Sequence, residues 1–116
     1  MSSRIARWRE ELQENPGDTE LMMDIAQVVA SSSDPEVKNT DEAMEMVKRA
    51  MSLMGAPTAR VLDTLGIIYA GKGQFPQALL AARRACEMAS ASGQSAQVFD
   101  IQERIKLYEK NQVPTD

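Results

Sequence analysis

The sequence predicts an all-α fold of about six helices, arranged as stacked helix-turn-helix units. Three observations carry that prediction. Apolar residues recur at spacings of three and four along most of the chain. Apolar content comes from Ala, Leu, Ile, Val and 8 Met, with only 1 Trp, 2 Tyr and 2 Phe, a mix that favours helices over strands. One helix-turn-helix pattern occurs twice. The 116 residues suit a single domain, 1–116, large enough to bury a core without staples.

The first predicted helix, 3–14, carries Ile5, Trp8 and Leu12 on one face. "NPGD" at 15–18 stops it, and Asp18 or Thr19 caps the next. Residues 19–31 carry Met22, Ile25, Ala26 and Val29, before "SSSDPEVKN" at 31–39 breaks the pattern. Asn39 followed by Glu42 reads as a capping box for a helix over 40–54, with Ala43, Val47, Ala50, Met51 and Met54 on its apolar face. "GAP" ends that helix. Residues 58–71 form the next, with Val61, Leu62, Leu65 and Tyr69, and "GKG" supplies a left-handed turn after it. Pro76 fits the first turn of a helix running to Ala91. A last helix, 95–110, has Val98, Ile101, Ile105 and Tyr108 as its stripe, with Phe99 and Leu107 off it, and the tail "NQVPTD" frays.

Two segments align. Met22, Ile25, Ala26 and Val29 match Leu62, Leu65, Gly66 and Tyr69 at an offset of 40, and Ala43, Val47 and Ala50 match Ala78, Ala82 and Ala85 at an offset of 35. The first copy therefore holds five extra residues, which fall in the 31–39 loop. The units are 19–54 and 58–91, and a repeat of this length signals a stacked helical array. A mid-helix glycine costs about 1 kcal/mol relative to alanine. Gly66, Ala78 and Ala85 are therefore read as packing residues, letting antiparallel helices approach to about 8 Å rather than 10 Å.

The spacing L-x2-L-G-x2-Y…A-x3-A-x2-A across 62–85 resembles a tetratricopeptide repeat. Leu65, Gly66, Tyr69 and Ala78 match the pattern; Leu62 replaces the frequent Trp, Ala82 an aromatic and Ser90 the closing proline. The resemblance implies a right-handed α-solenoid. In it 3–14 would be the second helix of an incomplete repeat, and 95–110 the solvating cap.

In such arrays the first helices line a concave groove. The resemblance thus implies partner binding by Glu20, Met23, Asp24 and Gln27 in the first copy and Arg60, Asp63, Thr64 and Ile67 in the second, with Ala30 and Ala70 on the same face. Some members of the family grip a C-terminal carboxylate there with Lys, Arg and Asn. Glu20, Asp24 and Asp63 argue against such a clamp and favour a neutral or basic protein or peptide segment. The plain alternative is an ordinary solvated face.

Composition bounds other functions. With 0 His and 1 Cys, no intrachain disulfide, His/Cys zinc site, Ser-His-Asp triad or Cys-His pair can be assembled. The net charge of -4 and the absence of clustered Lys/Arg argue against nucleic acid, with Arg83-Arg84 read as a solvated face. Cys86 reads as a packing thiol. Asp34, Glu36 and Asp41 lack a calcium-loop pattern, no phosphate-binding glycine motif is present, and no cofactor or metal is implied. Paired acids such as Glu10-Glu11 and Asp41-Glu42 sit at helix surfaces and starts.

No apolar run is long enough for a membrane span and no secretion signal opens the chain, so a cytoplasmic setting is expected. Most methionines read as core filler, with Met23 and Met46 on outer faces. The expected function is a non-catalytic binding scaffold. Two repeats make a short groove, which suits the terminal part of a longer array or an assembly subunit. The alternative is an oligomerisation module associating through its terminal helices, with Trp8, Phe99 and Leu107 at the contact.

Overall fold

Six helices in chain order hold 85 of the 112 residues, 3–114, that the structure, a computed structural model, describes. They are α1 (Ser3–Glu14), α2 (Thr19–Ser31), α3 (Thr40–Met54), α4 (Ala59–Gly71), α5 (Phe75–Ala91) and α6 (Ser95–Glu109). The last two tail residues, 115–116, and residues 1–2 of the expected domain lie outside the described residues. No helix among the described residues is long and apolar enough to cross a membrane.

Local chemistry sets the helix ends. Asp18, not Thr19, caps α2, its carboxylate accepting from the Leu21 N–H at 3.1 Å. Thr58 lies outside α4 as its cap and accepts from the Val61 N–H at 3.2 Å. The expected capping box at α3 is half formed. Asn39 accepts from the Glu42 N–H at 3.0 Å, but the Glu42 carboxylate takes two hydrogen bonds from Arg9 of α1, at 2.7 and 3.0 Å. After α4 the chain turns at Gly73, φ +76°, where a side chain would be strained. Asn111, φ 55°, ends α6 in the same left-handed region.

The 31–39 insertion is a tight turn closed by its own polar groups. The Asn39 N–H donates to the Val29 carbonyl at 2.7 Å, and the Asp34 carboxylate accepts from the Glu36 N–H at 2.9 Å.

α2 packs along α3, α4 along α5, and α5 along α6, while α2 and α4 also lie against each other. Two apolar clusters result. The first joins α1, α2, α3 and part of α4 through Ile5, Leu12, Met22, Ile25, Val29, Val47, Val61 and Ile68. The second joins α4, α5 and α6 through Leu62, Ala78, Ala82, Ala85, Ile101 and Tyr108. Helix α4 belongs to both and is buried nearly all round, which is what its consecutive Ile67 and Ile68 require.

The small residues lie where helices touch. A Cβ on Gly66 would stand 3.3 Å from the Ala78 carbonyl oxygen and 3.5 Å from the Tyr108 ring and hydroxyl. Glycine therefore admits α5 and a tyrosine of α6 together. Ala26, Ala43 and Ala50 are likewise fully buried between α2 and its neighbours. Gly71 is a close approach the sequence did not reveal: a Cβ there would be 2.9 Å from Thr40 Cγ2, so α4 ends against the start of α3.

Candidate functional site: the polar row across α2, α4 and α6

Two arginines organise the polar groups of α2, α4 and α6. Arg60, at the start of α4, reaches α2. Its guanidinium donates to Gln27 Oε1 at 3.1 and 2.7 Å, to Asp24 Oδ1 at 2.5 Å and to Glu20 Oε1 at 2.9 Å. Arg104 reaches from α6 to α4 and grips Asp63 through both carboxylate oxygens, with the Nε contact at 2.8 Å. This fork-on-fork geometry suits guanidinium and carboxylate. The charge of Arg60 also acts on Asp63, so the clusters form one row.

The two pairs differ in burial. The Asp63 side chain is 3% exposed and that of Arg104 24%. Burial is the largest influence on Asp63 and raises its carboxyl above the ordinary value, while the hydrogen bond and charge of Arg104 pull it back down. Burial works against the Arg104 charge, but its bond to Asp63 and the surrounding acids hold it above the ordinary value. Tyr108 lies alongside, fully buried, and its hydroxyl makes no hydrogen bond. Burial, with the Asp63 charge added, pushes that phenol well above its ordinary value.

The structure brings together Glu20, Asp24, Gln27 and Arg60 of the expected groove. Met23, Asp63, Thr64 and Ile67 are buried instead, as are Ala30 and Ala70. Thr64 donates its hydroxyl to the Arg60 carbonyl of its own helix at 2.8 Å. The reason is lateral packing: a residue of α2 or α4 that faces away from its hairpin partner meets the neighbouring helix. The expectation that Met23 and Met46 lie on outer faces is also corrected, for Met23 by that lateral packing and for Met46, on α3, by its place beside Leu12 and Gln13 of α1. Met23 is buried in the first core, and Met46 is half-buried against it. Of the residues considered for self-association, Trp8 is half-buried on the first core with the Arg4 guanidinium 5.0 Å above its ring. Leu107 is half-buried in the second core, and Phe99 is 61% exposed.

Beside Arg60 the surface opens into a cleft of about 510 Å³ between the starting ends of α4 and α6. Glu20, Thr58, Arg60, Met88, Gln94 and Gln97 line it. Of these, only Glu20 and Arg60 were candidates from sequence. Arg104 carried a readable signal, since it falls between Ile101 and Tyr108 on the apolar stripe of α6, and a charge on a buried stripe demands a partner. Gln94 and Gln97 carried none. No family model, curated protein or solved structure matches the chain.

Proposed function

We propose that the chain is a non-catalytic protein- or peptide-binding scaffold built from two tetratricopeptide-like hairpins, α2–α3 and α4–α5. In this reading α1 closes one end of a right-handed stack and α6 the other. Three features support it: the aligned positions of the two hairpins, the small residues at their contacts, and the lateral packing of α2 on α4. The observation that carries the function is the open polar cleft beside Arg60, since a binding surface needs reachable polar groups and most of the row is closed. A partner segment would lie across the starts of α4 and α6.

A photoreactive side chain at Gln97 tests this in the organism's own extract. Adducts are expected from Gln97 and not from Glu45, on the exposed face of α3. Equal labelling from both positions, or none from Gln97, would remove the cleft from the account.

A second reading is self-association through the terminal helices, favoured by the exposed Phe99 ring. It requires a mass that rises with concentration in sedimentation and returns to monomer on Phe99→Ser. A strict monomer at all concentrations eliminates it.

A further inference from the structure

The chemistry of the cleft, together with Asp24, which lies outside its lining but one turn along α2 from Glu20 and on the same Arg60, narrows the kind of partner. Glu20 and Asp24 each engage Arg60 through one oxygen, Oε1 and Oδ1, and their second oxygens take no hydrogen bond from the described residues. Their side chains are 81% and 40% exposed. Two carboxylates against one guanidinium leave a local excess of negative charge. Arg60 already has three acceptors and has little to offer an incoming anion. Further along, Gln94 stands at the start of α6 without using its side chain as a cap. It and Gln97 carry amides that pair donor and acceptor as a peptide unit does. Met88 supplies an apolar wall against which an aliphatic stem can lie. A main chain that pairs with these amides must have its own N–H and C=O groups free, as an extended segment does and a helix interior does not.

We propose that the partner is an extended basic segment, whose lysine or arginine docks on the free oxygens of Glu20 and Asp24 while its main chain pairs with Gln94 and Gln97. This rests on the scaffold reading above. Charge complementarity selects it: a cation relieves the excess at Glu20 and Asp24, whereas an acidic segment meets both carboxylates.

The test uses fluorescence anisotropy with three labelled Gly/Ser-based peptides of equal length, one carrying arginines, one glutamines and one glutamates. The arginine peptide is expected to bind saturably and more tightly than the others. Glu20→Gln with Asp24→Asn should weaken it about tenfold, a charge-assisted bond having become a neutral one. Those amides keep an acceptor for Arg60, so the fold is spared. Gln97→Trp, which fills the cleft, should weaken it as much. Glu45→Gln, an equal charge change per site on exposed α3 surface, should alter binding by less than about twofold. If the glutamine or glutamate peptide binds as well as the arginine one, and Gln97→Trp abolishes it, the basic partner is wrong and the scaffold reading stands. If Glu45→Gln weakens the arginine peptide as much as the cleft changes do, the attraction is general and the assignment of Glu20 and Asp24 falls. If none of the three peptides binds saturably, both readings fall.

Discussion

Helix α4 is joined to α2 on one side and to α6 on the other, and the two seams are built differently. At the α2 seam the backbones lie against each other, methionine, isoleucine and valine fill the space, and Arg60 bridges at the surface to partners in contact with water. At the α6 seam the backbones make little direct contact. Two long side chains span the gap, Arg104 to a buried Asp63 and Tyr108 to the bare backbone of Gly66. The first seam relies on apolar packing, with an ion cluster that salt can screen. The second relies on a buried ion pair, which is weak evidence of net stabilisation but costly to break on one side only. The difference also explains the cleft, which lies where α4 and α6 begin, along the seam with little backbone contact.

The largest effect is expected from breaking the α6 pair. Arg104→Ala leaves Asp63 buried without its counter-charge and should cost about 3–5 kcal/mol in urea unfolding. Converting both partners together, Asp63→Leu with Arg104→Met, should recover most of that loss, because the penalty belongs to the orphaned charge. An equal loss in the double variant would show that the pair itself stabilises the seam.

Next comes Tyr108→Phe, which removes a buried hydroxyl that makes no hydrogen bond and should stabilise the protein by about 1 kcal/mol. It should also change the alkaline limb. The Tyr108 phenol titrates above its ordinary value of 10.0 when folded, so as pH rises through that value the unfolded chain loses its proton first. The folded state then holds more protons, and stability falls with rising pH. The phenylalanine variant should lack that slope. A parallel decline in both proteins would place its origin elsewhere.

Gly66→Ala gives a smaller change. The equivalent position on α2 is Ala26, so alanine is tolerated at the first pair. At Gly66 the added Cβ presses on the Ala78 carbonyl and on Tyr108. Overpacking of about 1–3 kcal/mol should outweigh a helix gain of about 1 kcal/mol, for a net loss near 1 kcal/mol in denaturant titration. A gain would mean that α5 and α6 can move apart there. The smallest effect belongs to Arg60→Met, about 1 kcal/mol or less and vanishing in high salt, because its partners are solvated. A salt-independent loss would mean that the two seams are alike.

Much of the fold was legible from local chemistry. The helix at 3–14, the breaks at 15–18 and 31–39 and the left-handed turn at Gly73 follow from periodicity and from residues with one conformational role. The packing role of Gly66 and the α5 alanines was legible because the second copy repeats it. What failed was the far face of the first helices. Met23, Asp63, Thr64 and Ile67 lie off the apolar stripe of their helices and are buried all the same, and a pattern within one hairpin does not say which neighbour covers the other side. The amides of the cleft were hidden for a related reason: Gln94 and Gln97 resemble any exposed glutamine until α4 is set beside them. Glu42 shows the same limit in small, its local cap role yielding to Arg9, 33 residues away.

The most direct test of the account is to follow backbone amide shifts by NMR while the arginine-bearing peptide is titrated into the unmodified protein. Saturable shifts are expected, concentrated at Glu20, Asp24, Arg60, Gln94 and Gln97, with the outer faces of α3 and α5 unmoved. Saturable binding with shifts confined to another surface, such as the apolar groove lined by Leu65, Tyr69 and Leu80, would contradict it.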